Sequence, residues 1–245
     1  MDPNTSPVSA EKFFVRRMVS QDIPIIARIA CTEYFDSPLN EFLCPHRHKY
    51  PNDLLRRFVL MIQARYLIPR TIGFVAVSSS SPDIPVGYVQ STRLGDDEAA
   101  KLLLAEQASI WLTFKTWWSG FRTRVERLVW PDRSLDPNAM RVFDAAAMVD
   151  DYLFWDSDDM KAKYANRWHV QGLVVSSRYQ RRGLGRMLMS DVLQRAQDEC
   201  VVVGLEASPD GEKLYRSLGF ELRGRSCFNF PDKVGGIMMW SPNNL

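Results

Sequence analysis

The chain has 245 residues, 46% of them hydrophobic and 24% charged, with a formal net charge of +2. That length and composition give room for a sizeable core and exclude collagen-like, disordered and disulfide-stapled classes. With charge so nearly balanced, nothing global points to nucleic acid or an anionic membrane as partner, and any anion site must be a local cluster of basic residues.

Residues 1–10 carry Pro, Ser and Asn and read as a disordered leader, without a secretory signal, ahead of a single domain over 11–245. The four cysteines lack Cys-x-x-Cys pairing and no apolar run approaches the ~20 residues of a membrane span. A cytoplasmic protein with reduced thiols is expected. Residues 13–19 fit a first strand. A helix follows in which Asp22 caps the N-terminus, Pro24 sits in the first turn, and Ile25, Ile26, Ile29 and Ala30 form an apolar stripe. A second helix is expected over 53–66, with Leu54, Leu55, Phe58, Val59 and Ile62 on one side. The period then changes: 71–78 is β-rich, Ser79 to Pro82 breaks it, and 85–94 resumes it, as in a hairpin.

Residues 96–166 read as a helical, aromatic-rich insertion. Ile110, Trp111, Phe114, Trp117, Trp118 and Phe121 fall at helical spacing, and Asp136-Pro137 looks like the cap and first residue of a further helix. From 167 onward the pattern alternates as strand 167–175, helix 183–199, strand 201–207, helix 212–218, strand 220–227 and strand 236–240. Strand, helix and strand with short connections argue a mixed α/β sheet of about six to seven strands with flanking helices.

The segment 176–186 concentrates positive charge. Leu173, Val174 and Val175 lead into a loop with Gly183 and Gly185, followed by good helix formers. A helix N-terminus offers unsatisfied N–H groups and the positive end of the macrodipole, and a glycine lets backbone approach an anion without a Cβ in the way. Arg178, Arg181, Arg182 and Arg186 add local charge; a surface turn bearing arginines is the plainer alternative. No Gly-Lys-Ser/Thr follows, which excludes a P-loop, and Leu188 stands where the third glycine of a dinucleotide fingerprint would fall.

Gln180-x-x-Gly183-x-Gly185, placed after Leu173-Val174-Val175, resembles the acetyl-CoA motif of the GNAT superfamily of N-acetyltransferases. Leu205-Glu206-Ala207-Ser208, Gly211, Leu214-Tyr215 and Gly219-Phe220 are similar to that family's next block, and Val15-Arg16-Arg17 with Asp22-Ile23-Pro24 to its first strand and helix. The Leu-Glu-Ala-Ser wording resembles small-molecule acetyltransferases of filamentous fungi. The resemblance implies a central sheet splayed between its fourth and fifth strands, with acetyl-CoA in the gap. Backbone groups of Leu173, Val174 and Val175 would then face the pantetheine and acetyl carbonyl. Gln180, Arg181, Arg182, Gly183, Leu184, Gly185 and Arg186 would surround the pyrophosphate. Ser208, which replaces the family's Asn, would also touch the cofactor. The activity implied is direct transfer of an acetyl group to the amine of a small molecule, the alternative being an acyl-CoA-binding protein of this fold with a regulatory role.

An amine attacks only when neutral, so the reaction needs a base, and the departing thiolate needs a proton or a hydrogen bond. Counting back in twos from Val175 places Leu173, Gln171 and His169 on one strand face. The strand from Trp168 to Leu173 resembles the one on which several GNAT enzymes, including the serotonin acetyltransferase type, carry a His or Glu base. His169 is accordingly read as the base and Gln171 as an orienting group, a core histidine bonded to a carbonyl being the alternative. Tyr215 in the Leu-Tyr pair is read as the acid, or else as a helix tyrosine packed on the sheet. Cys44-Pro45-His46-Arg47-His48 is too closely spaced for a structural zinc pattern, and no metal is expected. The aromatic helix either faces the core or, with Lys115, Arg122, Arg124 and Arg127, an interface. The run Asp150, Asp151, Asp156, Asp158 and Asp159 either steers a cationic amine or forms a solvated helix end.

Overall fold

The computed structural model describes residues 11–107, 129–228 and 235–243. A seven-stranded sheet in the order β1-β2-β3-β4-β5-β7-β6 forms its centre. β1 (Phe13–Arg17), β2 (Thr71–Ser78), β3 (Ser81–Leu94) and β4 (Arg167–Val175) are antiparallel neighbours. β5 (Val202–Ala207) runs parallel to β4, and β7 (Gly236–Trp240) lies between β5 and β6 (Glu221–Arg225). Three helices precede β2: α1 (Ile23–Glu33), α2 (Pro38–Leu43) and α3 (Pro51–Leu67). Between β3 and β4 come α4 (Glu98–Gln107), α5 (Pro137–Asp151), a π-helical turn (Tyr152–Asp156) and α6 (Asp158–Tyr164). α7 (Leu184–Asp198) joins β4 to β5, and α8 (Glu212–Ser217) joins β5 to β6. The leader, the aromatic run 110–121 and its basic neighbours to Arg127 lie outside the described residues. No described helix is long and apolar enough to cross a membrane.

Each face of the sheet is covered for a reason visible in the residues. α7 repeats its apolar positions every four residues (Leu184, Leu188, Val192, Ala196), and that stripe packs on Trp168, Val170, Val203 and Leu205. On the other face, Ile26, Ala30, Leu54, Phe58 and Ile62 of α1 and α3 cover Val75, Val77, Tyr88 and Val174. Further along that same face, Trp155 from the π-helical turn packs on Val202, Ile237 and Met239. Each fully buried apolar side chain of this kind contributes about 1.5–3 kcal/mol.

Several boundaries differ from the sequence expectation. Asp22 does not cap α1: its buried carboxylate accepts both terminal nitrogens of Arg16 and the Val19 N–H, all at 2.8 Å, and so ties β1 to the helix. The charged bidentate partner outcompetes the helix's own amides. The hairpin turn is only Ser79-Ser80, and β3 begins at Ser81, with Pro82 and Pro85 inside the strand. Register shifts at Ala76–Val77 and Val77–Ser78 absorb the prolines, which strands tolerate at bulges. Asp136 does cap α5, accepting the Asn138 N–H at 2.8 Å.

Two irregularities of β4 decide where chemistry is possible. Its pairing with β5 covers only Arg167↔Val202 through Val170↔Leu205, and beyond that point the two parallel strands diverge. Its ladder with β3 shifts at Gln90–Ser91: Gln90 faces Gly172, Ser91 faces Val170, and Gln171 is the extra residue of a bulge. Alternation therefore reverses there. Leu173 and Val175 pack on the α7 side with Val170 and Trp168, whereas His169 looks to the α3 side with Gly172 and Val174. The common face expected for Leu173, Gln171 and His169 is overturned, because a count in twos cannot register an inserted residue.

Candidate active site

The loop after β4 is built more tightly than its string of arginines suggests. Gln180 donates through Nε2 to the Val175 carbonyl at 3.0 Å and to Glu33 at 3.3 Å, and Glu33 also accepts the Ser177 N–H at 2.8 Å. Gln180 is thereby the tie that fixes the loop to α1. Arg182 pairs with Glu11 at 3.0 Å and stacks over Phe13 and Tyr179, and Arg186 donates to the Ser217 carbonyl and hydroxyl. Arg181 holds a left-handed φ of 60° and Gly183 one of 79°, the latter as the N-terminal cap of α7. A Cβ on Gly183 would project into open space, so the backbone there is accessible to a ligand at the positive end of a fifteen-residue helix. Gly185 serves another purpose: a Cβ there would come within 2.9 Å of Leu214 Cδ2, so its bareness lets α8 close on α7. Leu184 is a core residue. Ser208 accepts the Gly211 N–H at 3.2 Å and shapes the entry to α8.

Beyond Val170 the edge of β4 that turned from β5 is served by side chains. The Leu173 carbonyl accepts the Tyr34 hydroxyl at 3.2 Å, and the Val175 carbonyl accepts Gln180. Tyr215, buried against Phe220 with ring centroids 5.5 Å apart, lies within electrostatic reach of Tyr34 and Glu206. Burial pushes its phenol well above the ordinary tyrosine value, so it keeps its proton at neutral pH.

On the α3 side of the same gap, His169 Nε2 lies 3.1 Å from Glu206 Oε2, across the last rungs of the β4–β5 pair. His169 is 16% exposed and the Glu206 side chain 50%, so the pair opens to solvent on the carboxylate side. Burial raises the Glu206 carboxyl, but the charge and hydrogen bond of His169 outweigh it and hold the group below the usual range. Trp155 stands edge-on to the imidazole, centroids 5.7 Å apart at 84°, with the Arg167 guanidinium 4.7 Å from its own ring centre. Its bulk fits only because Gly204 lies beneath: a Cβ there would meet Trp155 Cη2 at 2.4 Å. Gly224 on β6 receives Phe154 in the same way, again at 2.4 Å.

The acidic run is divided by the fold. Asp150 is buried and accepts the Ser226 hydroxyl and the Cys227 N–H, while Asp158 and Asp159 sit in the first turn of α6, where the helix dipole favours them. Asp151 faces the site: burial raises its carboxyl, Glu206 adds to the rise and His169 opposes it. In the Cys44–His48 stretch, Cys44 is buried, Arg47 pairs with Asp36 at 3.1 Å, and His48 lies 3.6 Å from the same carboxylate.

The fold brings His169, Tyr215, Leu173, Val175 and the Gln180–Gly185 loop around one gap. Glu206, Tyr34, Trp155 and Arg65, whose Nη1 would lie 3.4 Å from a Cβ on Gly172, went unassigned in the sequence. Glu206 left a signal, as the one acid in an apolar strand from Val201 to Ala207. Tyr34, Arg65 and Trp155 left none, because each reaches the site from a remote helix or turn.

A model of the acetyltransferase (GNAT) domain family matches residues 160–229, the stretch that supplies β4, the glycine loop, α7, β5 and α8. The fold is that of the GNAT superfamily. A Corynebacterium glutamicum structure described as histone acetyltransferase HPA2 and related acetyltransferase is similar over 94% of this chain and 96% of its own, with 18% identity and a TM-score of 0.56. A putative GNAT-family acetyltransferase from Desulfovibrio desulfuricans is similar over 94% of this chain and 99% of its own, with 11% identity and a TM-score of 0.51. In a GNAT fold of this kind, the divergence of β4 from β5 falls beside His169 and Glu206.

Proposed function

We propose that the protein transfers an acetyl group from acetyl-CoA to the amine of a small molecule. The observation that carries this reading is the opening between β4 and β5 beyond Val170 and Leu205, with the accessible Gly183 backbone at one end and the His169–Glu206 pair at its mouth. The thioester arm fits between the strands, and the pyrophosphate at the N-terminus of α7. Ser208, Gln171 and the arginines Arg181, Arg182 and Arg186 stay in the reading as neighbours of that path.

The chain's residues account for both proton movements. His169 accepts the amine proton, and Glu206 stabilises the imidazolium that results. The amine nitrogen bonds to the acetyl carbon, the C–S bond breaks, and the electron pair leaves with sulfur. Tyr215 donates a hydrogen bond to that sulfur. A thiol has an ordinary pKa of about 8.5, below that of the buried phenol, so a shared rather than a fully transferred proton is the favourable arrangement.

The test is calorimetric binding of acetyl-CoA followed by free-thiol release with a panel of small amines. Turnover is expected, with kcat lowered about 10-fold or more in Tyr215→Phe. Acetyl-CoA binding with no thiol from any acceptor would instead support the regulatory acyl-CoA-binding alternative.

A further inference from the structure

We infer that Arg65 binds an anionic group on the acceptor, so that the substrate class is an amine that also carries a carboxylate. This rests on the acetyl-transfer reading for its amine end only. Arg65 is in the last turn of α3, partly buried, on the face of the sheet that carries His169. Its Nη1 would lie 3.4 Å from a Cβ placed on Gly172, and the Tyr88 hydroxyl 3.6 Å from the same point. The guanidinium therefore hangs over a bare stretch of β4, next to the bulge at Gln171.

Among the described residues no carboxylate lies within ion-pair distance of Arg65, and its guanidinium makes no hydrogen bond. Its electrostatic neighbours are Tyr88, Tyr34 and Glu206. The two phenols are held protonated by burial, and Glu206 is already bonded to His169. Removing a cation from water without a partner is unfavourable, and here desolvation does depress the guanidinium pKa. Of the other buried arginines, Arg93 pairs with Glu199 and Asp97 and Arg47 with Asp36 and Glu41, whereas Arg167 donates to the Tyr164 carbonyl and lies over the Trp155 ring. An unpaired cation kept at the edge of a reaction gap is accounted for when a substrate anion completes it.

Spacing then restricts the acceptor. His169 and Gly172 are three positions apart on β4, roughly 10 Å of strand, shortened by the bulge. Hydrogen bonds at both ends take up about 3 Å each. What remains is the separation of amine and carboxylate in an α- or β-amino acid. Gly172 contributes by leaving the strand beneath the guanidinium free of a side chain.

Thiol release by the full-length protein with matched acceptors tests this: an amino acid, its carboxamide and its decarboxylated amine. The acid-bearing acceptor is expected to have the higher kcat/KM, by roughly 10- to 100-fold, as for a hydrogen bond to a charged group. Arg65→Gln should raise KM for the acid and bring the ratio near unity, and Arg65→Lys should keep part of the preference. A fall in kcat shared equally by all three acceptors, with the ratio kept, would overturn the inference and place Arg65 on the reacting carbonyl oxygen instead. A wild-type preference for the carboxamide would overturn it too. Thermal shift in the presence of CoA gives a reading independent of turnover. The acid should stabilise the wild type but not Arg65→Gln, and no stabilisation by any amino acid would count against the inference even if other amines are acetylated. Acetyl-CoA binding without thiol from any acceptor would count against the transfer reading instead.

Discussion

At the scale of single residues, the site depends on one contact across two strands, His169 to Glu206. Either residue alone is an ordinary strand side chain. In the proposed reaction they act together as a base whose protonated form has a carboxylate to stabilise it. His169→Gln should lower kcat/KM for amine acetylation by about 10²- to 10⁴-fold. If the pair acts as a unit, adding Glu206→Gln to that variant should cost little more, and a double-mutant cycle reads this directly. Multiplying losses would mean that the two residues act separately. Thermal midpoints of the three variants check that folding is intact.

At the scale of elements, the π-helical turn between α5 and α6 docks two aromatic rings onto two strand glycines. Phe154 on Gly224 and Trp155 on Gly204 are close-packed, with no room for a methyl group. Gly204→Ala and Gly224→Ala should each destabilise by about 1–3 kcal/mol, as overpacking does, measured by urea denaturation. Their effects on activity should differ. Trp155 touches His169, whereas Phe154 lies over β6, so Gly204→Ala should lower kcat well beyond Gly224→Ala. Equal losses in the two variants would show that Trp155 serves packing alone. A wide turn of this type re-aims side chains that a regular helix would have carried elsewhere.

At the scale of the whole molecule, the long connection between β3 and β4 is anchored to α3 through Asp53. Its buried carboxylate accepts Arg133 Nε at 2.8 Å and the Arg133 N–H at 3.1 Å, with Arg56 at 4.0 Å. The Arg133 hydrogen bond holds this carboxyl below its usual value against the opposing effect of burial. A carboxyl depressed in the folded state stabilises the fold above its unfolded pKa of about 3.9 and loses that contribution as pH falls through the folded value. The urea midpoint should accordingly drop below about pH 4, and drop less steeply in Asp53→Asn. Identical pH profiles for the two proteins would remove Asp53 from the anchor.

Much of the fold and part of the site follow from the chain read in order. The four-residue spacing of Leu184, Leu188, Val192 and Ala196 made α7 legible, and the apolar runs of β2, β4 and β7 did the same for the sheet. These are local periodicities, set by backbone geometry within a few residues. The Gln180–Gly185 loop was equally legible as the turn that opens α7, because its glycines and the helix formers after them are adjacent in the chain. The bulge at Gln171 was not, since the partner strand decides which residue is extra, and with it went the face on which His169 lies. Nor were Tyr34, Arg65 and Trp155 legible: they come from α1's end, α3 and the π-helical turn, and only packing brings them to the gap. By itself the sequence determined most strands and the longer helices, the sheet's character and the glycine loop. Tertiary structure alone decided which side chains share the gap beside β4, because those neighbours are separated by tens to more than a hundred positions along the chain and are joined only by side-chain contacts.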